Sequence, residues 1–477
     1  MVLGNGGQLV VSLGVFLYLA RVLSPADFGA MGVAAALVDM LTVFGRFGQV
    51  EALLQAGADN QRTRSTSFWI LMLIGIVSLI FVASVTQPLT ALTGAAVVGP
   101  VLLILAPVPL ISNFGQVSEA ILRRELRYSG LAIRNVLATI MGAIAAIAFA
   151  AGGYGVYALA VQKLVFTIVY TCTILIAQPW KPSWVFVIVE SRRLVSTGLN
   201  VTISNTLQLA NGRIVDLNIG AFLGVVSLGI TRVAWRFYDF CLQLVIAPLS
   251  SVSYTLFTDA AASDEDLRRI YLQYSEFIVG IAAPIFIGLS IVSHDAIVLL
   301  AGAKWEKSAL VLSMLSLTVF ASCINLLFTP VMIAKARTRL IRQQAIWQAL
   351  SNATLTFGAA QFDIVSVVVV YILRVYAFAV YNLILLSRVL ELPVRVLMIR
   401  LLPIFVGTAG LASIGLCVRS LLIGHGELLR LCTVAATGGV TYIFILLASD
   451  GLGLSRGLTT GYFTMAQALL RRRRGNR

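Results

Sequence analysis

Apolar segments about as long as a membrane-spanning helix alternate with short polar turns along almost the whole chain. A span needs about 20 apolar residues, and a helix lets a single segment satisfy its own backbone hydrogen bonds in lipid. The pattern therefore predicts an all-α polytopic membrane protein with about 14 transmembrane helices. The predicted spans lie at 4–22, 30–55, 67–85, 98–121, 131–151, 154–178, 196–219, 227–256, 272–293, 308–334, 344–361, 364–387, 401–422 and 428–449.

A short internal match relates two parts of this pattern at an offset of 200 residues. The matching residues are Leu23, Gly29, Val33 and Ala34 in the first half, and Leu223, Gly229, Val233 and Ala234 in the second. Both stretches connect an outward-running span to its returning partner. The match therefore predicts a parallel pseudo-repeat with its axis along the membrane normal.

This repeat predicts two six-helix lobes followed by two additional helices. The predicted parts are an N-lobe at 1–178, a cytoplasmic interfacial linker at 179–195, a C-lobe at 196–388, helices 13 and 14 at 389–449, and a basic cytoplasmic tail at 450–477. The linker carries Trp180 and Trp184, and tryptophan is enriched at membrane interfaces.

The positions of the basic residues predict the orientation of the chain, because cytoplasmic loops carry an excess of Lys and Arg. With the N-terminus inside, 24 of the 35 Lys and Arg residues fall in inner loops or the C-terminal tail, and five fall in outer loops. Both termini are therefore predicted to be cytoplasmic. The net charge of +15 indicates anionic membrane lipid as a partner rather than nucleic acid.

Composition excludes a large soluble domain and offers no catalytic constellation. Charged residues make up 12% of the 477 residues, against about 25% in an average globular domain. The five cysteines all lie in apolar segments without metal-ligand spacing. His294 and His425 lie in different predicted outer loops, where we expect them to be solvated. The chain is therefore expected not to be an enzyme and to use neither a cofactor nor a metal.

Arg21, Arg134, Arg419 and Arg430 lie near span ends and are counted with the adjoining turns. Six basic residues remain deeper inside the predicted spans: Arg46, Lys163, Arg213, Arg232, Arg236 and Arg374. A cation in the hydrocarbon core costs about 2.5–3.5 kcal/mol on insertion scales, so it is retained where it lines a watery cavity or meets an anion. Arginine suits phosphate because its planar fork binds two oxygens at once and stays charged. These residues therefore indicate an anionic cargo.

Internal pairing is the alternative explanation, because the spans hold equally many acids: Asp39, Glu51, Glu119, Asp216, Asp239 and Glu276. Arg213 and Asp216 are three residues apart, a spacing at which helix side chains meet. Arg236 and Asp239 have the same spacing. Either pair can be a salt bridge that only fixes helix packing.

Two observations favour a positive excess in mid-membrane despite this balance. Glu51 and Glu119 are expected near the inner ends of their spans, where they reach water. Lys163 and Arg374 have no acid within four residues along the chain.

Helical spacing places further polar residues on single faces of the predicted seventh and eighth spans. The face of the seventh span consists of Asn200, Ser204, Gln208 and Asn211. Arg232, Arg236 and Asp239 share a face of the eighth. A short turn joins these spans, so their polar faces can meet.

Five short motifs carry a resemblance to a known family. In chain order they are LARVLSPADFG at 19–29, LRRELRY at 122–128, GYGVYAL at 153–159, DLNIG at 216–220 and GAKWE at 302–306. Each resembles the corresponding segment of Wzx-type polysaccharide flippases, and their order and spacing run over most of the chain. The chain is most similar to the WzxC-like branch of the multidrug/oligosaccharidyl-lipid/polysaccharide exporter superfamily.

The resemblance implies two lobes around a central cavity and alternating access in a bacterial inner membrane. It implies a polyprenyl-diphosphate-linked oligosaccharide as substrate, for exopolysaccharide, O-antigen or capsule biosynthesis, with polysaccharide polymerase and export machinery as partners. The family supplies no universal catalytic residues, so the site hypothesis rests on the polar residues of the spans. The substrate-binding candidates are Arg46, Arg213, Arg232, Arg236, Arg374, Lys163, Asn200, Ser204, Gln208 and Asn211, and the coupling candidates are Asp39, Asp216, Asp239 and Glu276.

Three other functions stay open on the sequence. A multidrug or small-molecule secondary exporter of the same superfamily would want an acidic, aromatic cavity. A membrane-embedded polysaccharide polymerase or transferase would usually want a substantial outer domain. A membrane scaffold without transport activity is the third alternative.

Overall fold

The computed structural model describes residues 2–46, 49–55, 60–125, 128–189, 191–192, 194–195 and 212–451. Helices make up most of these residues, and no β-strand occurs among them. The predicted all-α class is confirmed. Of the predicted parts of the chain, the tail at 450–477 lies almost entirely outside the described residues.

Nine helices precede residue 178: α1 Val2–Val22, α2 Pro25–Arg46, α3 Gln49–Gln55, α4 Gln61–Thr93, α5 Val98–Leu105, α6 Val108–Phe114, α7 Gln116–Arg124, α8 Tyr128–Ala151 and α9 Tyr157–Ala177. After the described linker residues 178–189, 191–192 and 194–195, the description resumes at 212–218, which is helical and continues into a π-helical turn, Ile219–Leu223. Eight helices follow: α10 Gly224–Ala260, α11 Asp264–Ala301, α12 Glu306–Ser316, α13 Val319–Ala334, α14 Thr338–Ala359, α15 Ile364–Leu390, α16 Val394–Leu421 and α17 Glu427–Gly451.

The described residues contain ten helical segments long and apolar enough to cross a membrane, or eleven if a bent pair is one span. The bent pair is Ala303–Ser316 with Val319–Ala334, at an angle of 53°. The difference from fourteen has physical causes. The apolar described part of α1 is short, α14 is too polar, and the predicted seventh and eighth spans run together over Gly212–Ala260. Within that segment, the non-helical backbone of Gly224 (φ +79°) marks the turn.

Contacts divide the chain into two compact units. The first unit contains Met1–Val233 and Ala345–Val367, and the second contains Ala234–Gln344 and Val368–Arg477. The boundaries fall inside α10, α14 and α15, so single helices contribute residues to both units.

In the first unit, α2 and α10 cross with their backbones in direct contact. A Cβ atom added to Gly29 would overlap the carbonyl oxygen of Val225, and one added to Gly229 would overlap that of Pro25. The two contacts map onto each other under the offset of 200, because Gly29 corresponds to Gly229 and Pro25 to Val225. The two segments of the predicted repeat therefore contact each other at equivalent positions, and glycine is required where a side chain would hold the helices apart.

The linker after α9 is held against the first turns of α4 in the same unit. Trp180 Nε1 donates to Gln61 Oε1 at 2.7 Å, and Trp69 Nε1 donates to the carbonyl oxygen of Ser183 at 3.0 Å. Trp184 stacks on Trp69 with ring centroids 4.6 Å apart, yet it remains 90% exposed. This end of the unit therefore presents an indole ring to its surroundings.

In the second unit, α11 extends beyond the predicted span at 272–293 and ends at Ala301. Asp295 is consequently buried within α11, where Arg419 Nε lies 3.3 Å and Arg430 Nη1 3.2 Å from its carboxylate. The expectation that His294 lies in a solvated outer loop is wrong. His294 is part of this helix, and its side chain lies 3.5 Å from Glu306. These ion pairs fix α11 to α16 and α17.

Candidate functional site

Four elements of the first unit bring five charged side chains together. Asp39 comes from α2, Lys163 from α9, Arg213 and Asp216 from the helical segment at 212–218, and Arg232 from α10. We call these five residues the ion cluster. All five were named from the sequence as binding or coupling candidates.

Arg213 joins the two carboxylates of the ion cluster. Lys163 Nζ donates to Asp39 Oδ1, and Arg213 Nη2 donates to Asp39 Oδ2 at 2.6 Å. Arg213 Nη1 lies 3.4 Å from Asp216 Oδ2, and Arg232 Nη2 lies 2.9 Å from the same oxygen. The result is a continuous chain of ion pairs across α9, α2, 212–218 and α10.

The glycine-rich start of α2 helps to position Arg232. Arg232 Nη2 donates to the carbonyl oxygen of Gly32 at 3.0 Å. A Cβ atom at Gly32 would lie 3.3 Å from Arg232 Nε and 3.0 Å from Leu228 Cδ2. The absence of a side chain at Gly32 therefore leaves room for the guanidinium beside α2.

The ion cluster carries one positive charge in excess, because three cations meet two carboxylates. The exposed fraction of each side chain in the cluster lies between 11% and 26%. Each is therefore accessible while shielded on most sides. A partly shielded arginine fork binds phosphate or carboxylate oxygens more strongly than one in bulk water. Internal pairing, the alternative from the sequence, is present here, and a cationic excess remains beside it.

The partner of Lys163 corrects an inference from the sequence. Lys163 has no acid within four residues along the chain, which indicated an uncompensated cation. The structure supplies Asp39, which is 124 residues away in sequence. Only the packing of α9 against α2 brings the two together, and no spacing along the chain could indicate it.

The remaining candidates of the first unit lie apart from the ion cluster or outside the described residues. Arg46 is exposed at the end of α2, seven residues or about 10 Å along the helix from Asp39. Asn200, Ser204, Gln208 and Asn211 lie outside the described residues.

Glu119 and Arg134 form a buried pair that the sequence did not indicate. The expectation that Glu119 reaches water is wrong, because its side chain is buried 3.1 Å from Arg134 Nη1 and 2.6 Å from Arg123 Nη2. The Arg134 guanidinium also lies 4.1 Å from the centroid of the Tyr170 ring. Arg134 was assigned to an inner turn, so its role in the bundle was missed.

In the second unit, Arg374 of α15 is buried without a carboxylate. Its side chain is 7% exposed, and its Nε atom has no hydrogen-bond partner. The guanidinium lies 5.2 Å from the ring of Tyr371, which packs edge-on against Trp235. No acidic side chain in the described part of the chain lies within 4 Å of Arg374. A buried cation in such surroundings is costly, which favours a functional reason for its retention.

The other candidates of the second unit are paired or adjacent to acids. Arg236 and Asp239 lie three residues apart on α10. Glu276 of α11 lies 3.2 Å from Arg400 of α16. Arg400 had been assigned to an inner loop, so this partner of Glu276 was also missed.

Metal chemistry has no visible support in the described ranges. No three His, Cys, Asp or Glu residues among them are grouped to hold a metal ion. The five cysteines are free thiols.

The family model that matches the chain describes a polysaccharide biosynthesis protein and covers residues 18–310. The chain is 24% identical over 352 residues to the succinoglycan biosynthesis transport protein ExoT of Rhizobium meliloti (strain 1021), covering 73% of this chain and 69% of that protein. It is 20% identical over 343 residues to the lipopolysaccharide biosynthesis protein WzxC of Escherichia coli (strain K12), covering 69% of this chain and 68% of that protein.

Among solved structures, the chain is similar to the lipid II flippase MurJ in an inward closed conformation, with a TM-score of 0.78. The likeness covers 94% of this chain and 99% of that one at 16% identity, which establishes the fold. Because the family model matches more than half of the sequence, the chain belongs to the polysaccharide biosynthesis protein family.

Proposed function

We propose that this transporter moves polyprenyl-diphosphate-linked oligosaccharide across the bacterial inner membrane by alternating access. Its product would feed exopolysaccharide, O-antigen or capsule biosynthesis, with the polymerase and export machinery as partners. The observation that carries the proposal is the ion cluster, with its excess of one positive charge at a partly accessible position.

The ion cluster suits reversible binding of a diphosphate. Arg213 and Arg232 would exchange their carboxylate partners for phosphate oxygens, which planar guanidinium groups bind bidentately. Asp39 and Asp216 would then compete with the substrate for the same cations. That competition weakens binding and favours release, as a carrier requires.

The second unit would supply a further anion contact at Arg374, whose buried guanidinium lacks an acidic neighbour within the described ranges. Arg46, Lys163 and Arg236 stay candidates for acidic groups of the substrate. The polar face formed by Asn200, Ser204, Gln208 and Asn211 would hydrate the sugars.

Coupling to a proton gradient would follow from the same exchange. Asp39 and Asp216 each lie beside two cations. A cation that turns to the substrate would leave its carboxylate free to take up a proton. Asp239 and Glu276 are the corresponding candidates in the second unit.

The same proposal covers the organisation of the chain. It includes the lobes at 1–178 and 196–388, the linker between them, the added helices at 389–449 and the tail at 450–477. Both termini would be cytoplasmic, and anionic lipid would bind the basic inner surface. The protein would act as a transporter and not as an enzyme.

The test replaces the two cluster arginines together in Arg213→Gln/Arg232→Gln. Loss of two charge-assisted contacts of about 1.5–3 kcal/mol each weakens substrate binding by about 100-fold or more, so surface polysaccharide should fall by at least about 10-fold. Lipid-linked repeat units should accumulate on the inner leaflet. The control is Arg269→Gln, which removes an exposed pair with Asp266. Normal polysaccharide output from the double variant, at wild-type levels in the membrane, would overturn the assignment of the ion cluster.

The alternatives give different phenotypes in the same strains. A multidrug exporter would change drug susceptibility, but a site with excess positive charge repels cationic drugs. A polymerase or transferase would change the chain length of the product rather than accumulate intermediates on the inner leaflet. A scaffold would tolerate Arg213→Gln/Arg232→Gln as long as the protein inserts.

A further inference from the structure

We propose that a recess in the first unit, away from the ion cluster, binds the phosphate of an anionic phospholipid from the surrounding bilayer. The recess is open to the surroundings and lies between α3, the first turn of α4 and α7. Its apolar wall includes Leu53, Leu54 and Ala120, and its basic rim consists of Arg64 and Arg124. We call it the lipid recess.

The lipid recess is built on a packed apolar floor. Leu53 of α3 and Val117, Ala120 and Ile121 of α7 belong to one buried cluster, which continues through Phe68 of α4. Arg64 is half-buried one helical turn before Phe68, whereas Arg124 is exposed at the end of α7. An apolar floor under a rim of two arginines fits an amphiphile whose anionic group binds at the rim.

The lining of the recess argues against the oligosaccharide as its occupant. Its aliphatic wall provides no hydrogen-bond partners for sugar hydroxyls, whose desolvation would be costly. A phosphate with the adjoining part of an acyl chain is a better match.

Neighbouring residues indicate that the recess lies at the depth of lipid headgroups. Trp69 follows Arg64 by five residues on α4 and carries the exposed, stacked ring of Trp184. Phe186, Ile188 and Val189 of the same linker are also exposed. Exposed aromatic and apolar side chains beside basic residues are typical of the membrane–water interface.

Charge complementarity selects the lipid class. Beyond Arg64 and Arg124, the same end of the unit carries Arg62 at the start of α4, Arg123 on α7 and Lys181 in the linker. Each basic residue near a membrane surface gains about 1 kcal/mol from anionic lipid. A zwitterionic headgroup would not gain this attraction, so the expected occupant is a phospholipid with net negative charge.

The test measures lipid binding by the purified full-length protein, independently of transport. The melting temperature is followed as dioleoylphosphatidylglycerol, dioleoylphosphatidylcholine or inorganic phosphate is added in detergent, and native mass spectrometry counts bound lipid. Phosphatidylglycerol should raise the melting temperature more than phosphatidylcholine. In Arg64→Gln/Arg124→Gln, the apparent affinity for phosphatidylglycerol should fall about 10- to 100-fold because two charged contacts are lost.

Two further variants separate the recess from general surface charge. Ala120→Leu keeps both arginines but fills the recess, and it should lose phosphatidylglycerol binding to the same extent. Arg337→Gln/Arg339→Gln removes two exposed charges in the second unit and should bind as the wild type does. If the rim variant does not fold, Ala120→Leu decides the matter.

Three results would overturn the proposal. The first is wild-type affinity for phosphatidylglycerol in Ala120→Leu or in the rim variant. The second is an equal loss in Arg337→Gln/Arg339→Gln, which would indicate diffuse charge attraction. The third is a stabilisation by inorganic phosphate equal to that by phosphatidylglycerol, which would assign the recess to a soluble anion. None of these measurements depends on flippase activity.

Discussion

At the scale of single residues, Arg134 and Arg374 show how differently two equally buried arginines can be placed. Arg134 is 6% exposed and lies 3.1 Å from the carboxylate of Glu119. Arg374 is 7% exposed and lies 5.2 Å from the ring of Tyr371, with no acid within 4 Å among the described residues. Arg134 contributes to stability through its partner, whereas Arg374 is expected to lower stability and to be retained for binding.

This contrast predicts opposite effects of the same substitution at the two positions. Arg374→Met should leave the melting temperature unchanged or raise it, because an apolar side chain of similar length replaces an uncompensated cation. Surface polysaccharide should nevertheless fall. Arg134→Met should lower the stability by up to about 3 kcal/mol, because among the described residues Glu119 then keeps only Arg123 as an ion-pair partner.

Thermal unfolding in detergent and polysaccharide output from complemented cells measure the two quantities. Equal destabilisation by both substitutions would mean that Arg374 serves packing in the way Arg134 does. Full polysaccharide output from Arg374→Met would remove Arg374 from the proposed binding residues.

The sequence indicated every member of the ion cluster but only one of its ion pairs. Arg213 and Asp216 are close in sequence, and helical spacing indicates their contact. Asp39 is separated from Lys163 by 124 residues and from Arg213 by 174. Contacts over such separations depend on which helices pack together, and a single sequence carries no signal for that.

At the scale of helices, the contact between α2 and α10 depends on the absence of two side chains. Gly29 and Gly229 each face a carbonyl oxygen on the other helix, so neither position accommodates a Cβ atom without separating the helices. The same crossing places Arg232 beside the carbonyl oxygen of Gly32. The geometry of the ion cluster is therefore tied to this crossing.

Gly29→Ala is expected to destabilise the structure described here by about 1–3 kcal/mol, the usual cost of inserting atoms into a packed contact. The matched control is Gly288→Ala in α11, where a Cβ atom meets nothing within 4 Å. There the lower backbone entropy of alanine should stabilise the helix by about 0.5–1 kcal/mol. The melting temperatures of the two variants should therefore move in opposite directions. A melting temperature for Gly29→Ala at or above the wild-type value would refute the close crossing.

The positions of helices were largely predictable, and their ends were not. The predicted spans that fall in described ranges coincide with helices or broken runs of helices. However, α4 covers Gln61–Thr93, well beyond the predicted 67–85, and α11 begins eight residues before its predicted span. A helix can continue beyond the apolar segment into polar residues, because its backbone hydrogen bonds do not depend on lipid. The hydropathy of the sequence indicates only the apolar segment of the helix.

At the scale of the whole molecule, the number of spans and the orientation of the chain are one question. Each added or removed span reverses the side on which every later turn lies. The excess of Lys and Arg in alternate loops supports fourteen spans with the N-terminus inside. The low hydropathy of α14 does not qualify it as a span among the described residues, although its 22 residues are long enough. Whether α14 crosses the membrane therefore decides one span of the count and the side of every later turn.

Single cysteines at Arg337 and His425 can decide this, because the helices between them are α14, α15 and α16. Both positions are exposed, in the turns that precede α14 and follow α16. In a chain whose five native cysteines are replaced by alanine, His425→Cys should react with a membrane-impermeant maleimide in intact cells. Arg337→Cys should react only after permeabilisation, because three spans place the two turns on opposite sides. If α14 does not cross, two spans remain and both cysteines behave alike. If only Arg337→Cys were labelled in intact cells, three spans would still separate the two turns, but the predicted inside and outside would be exchanged.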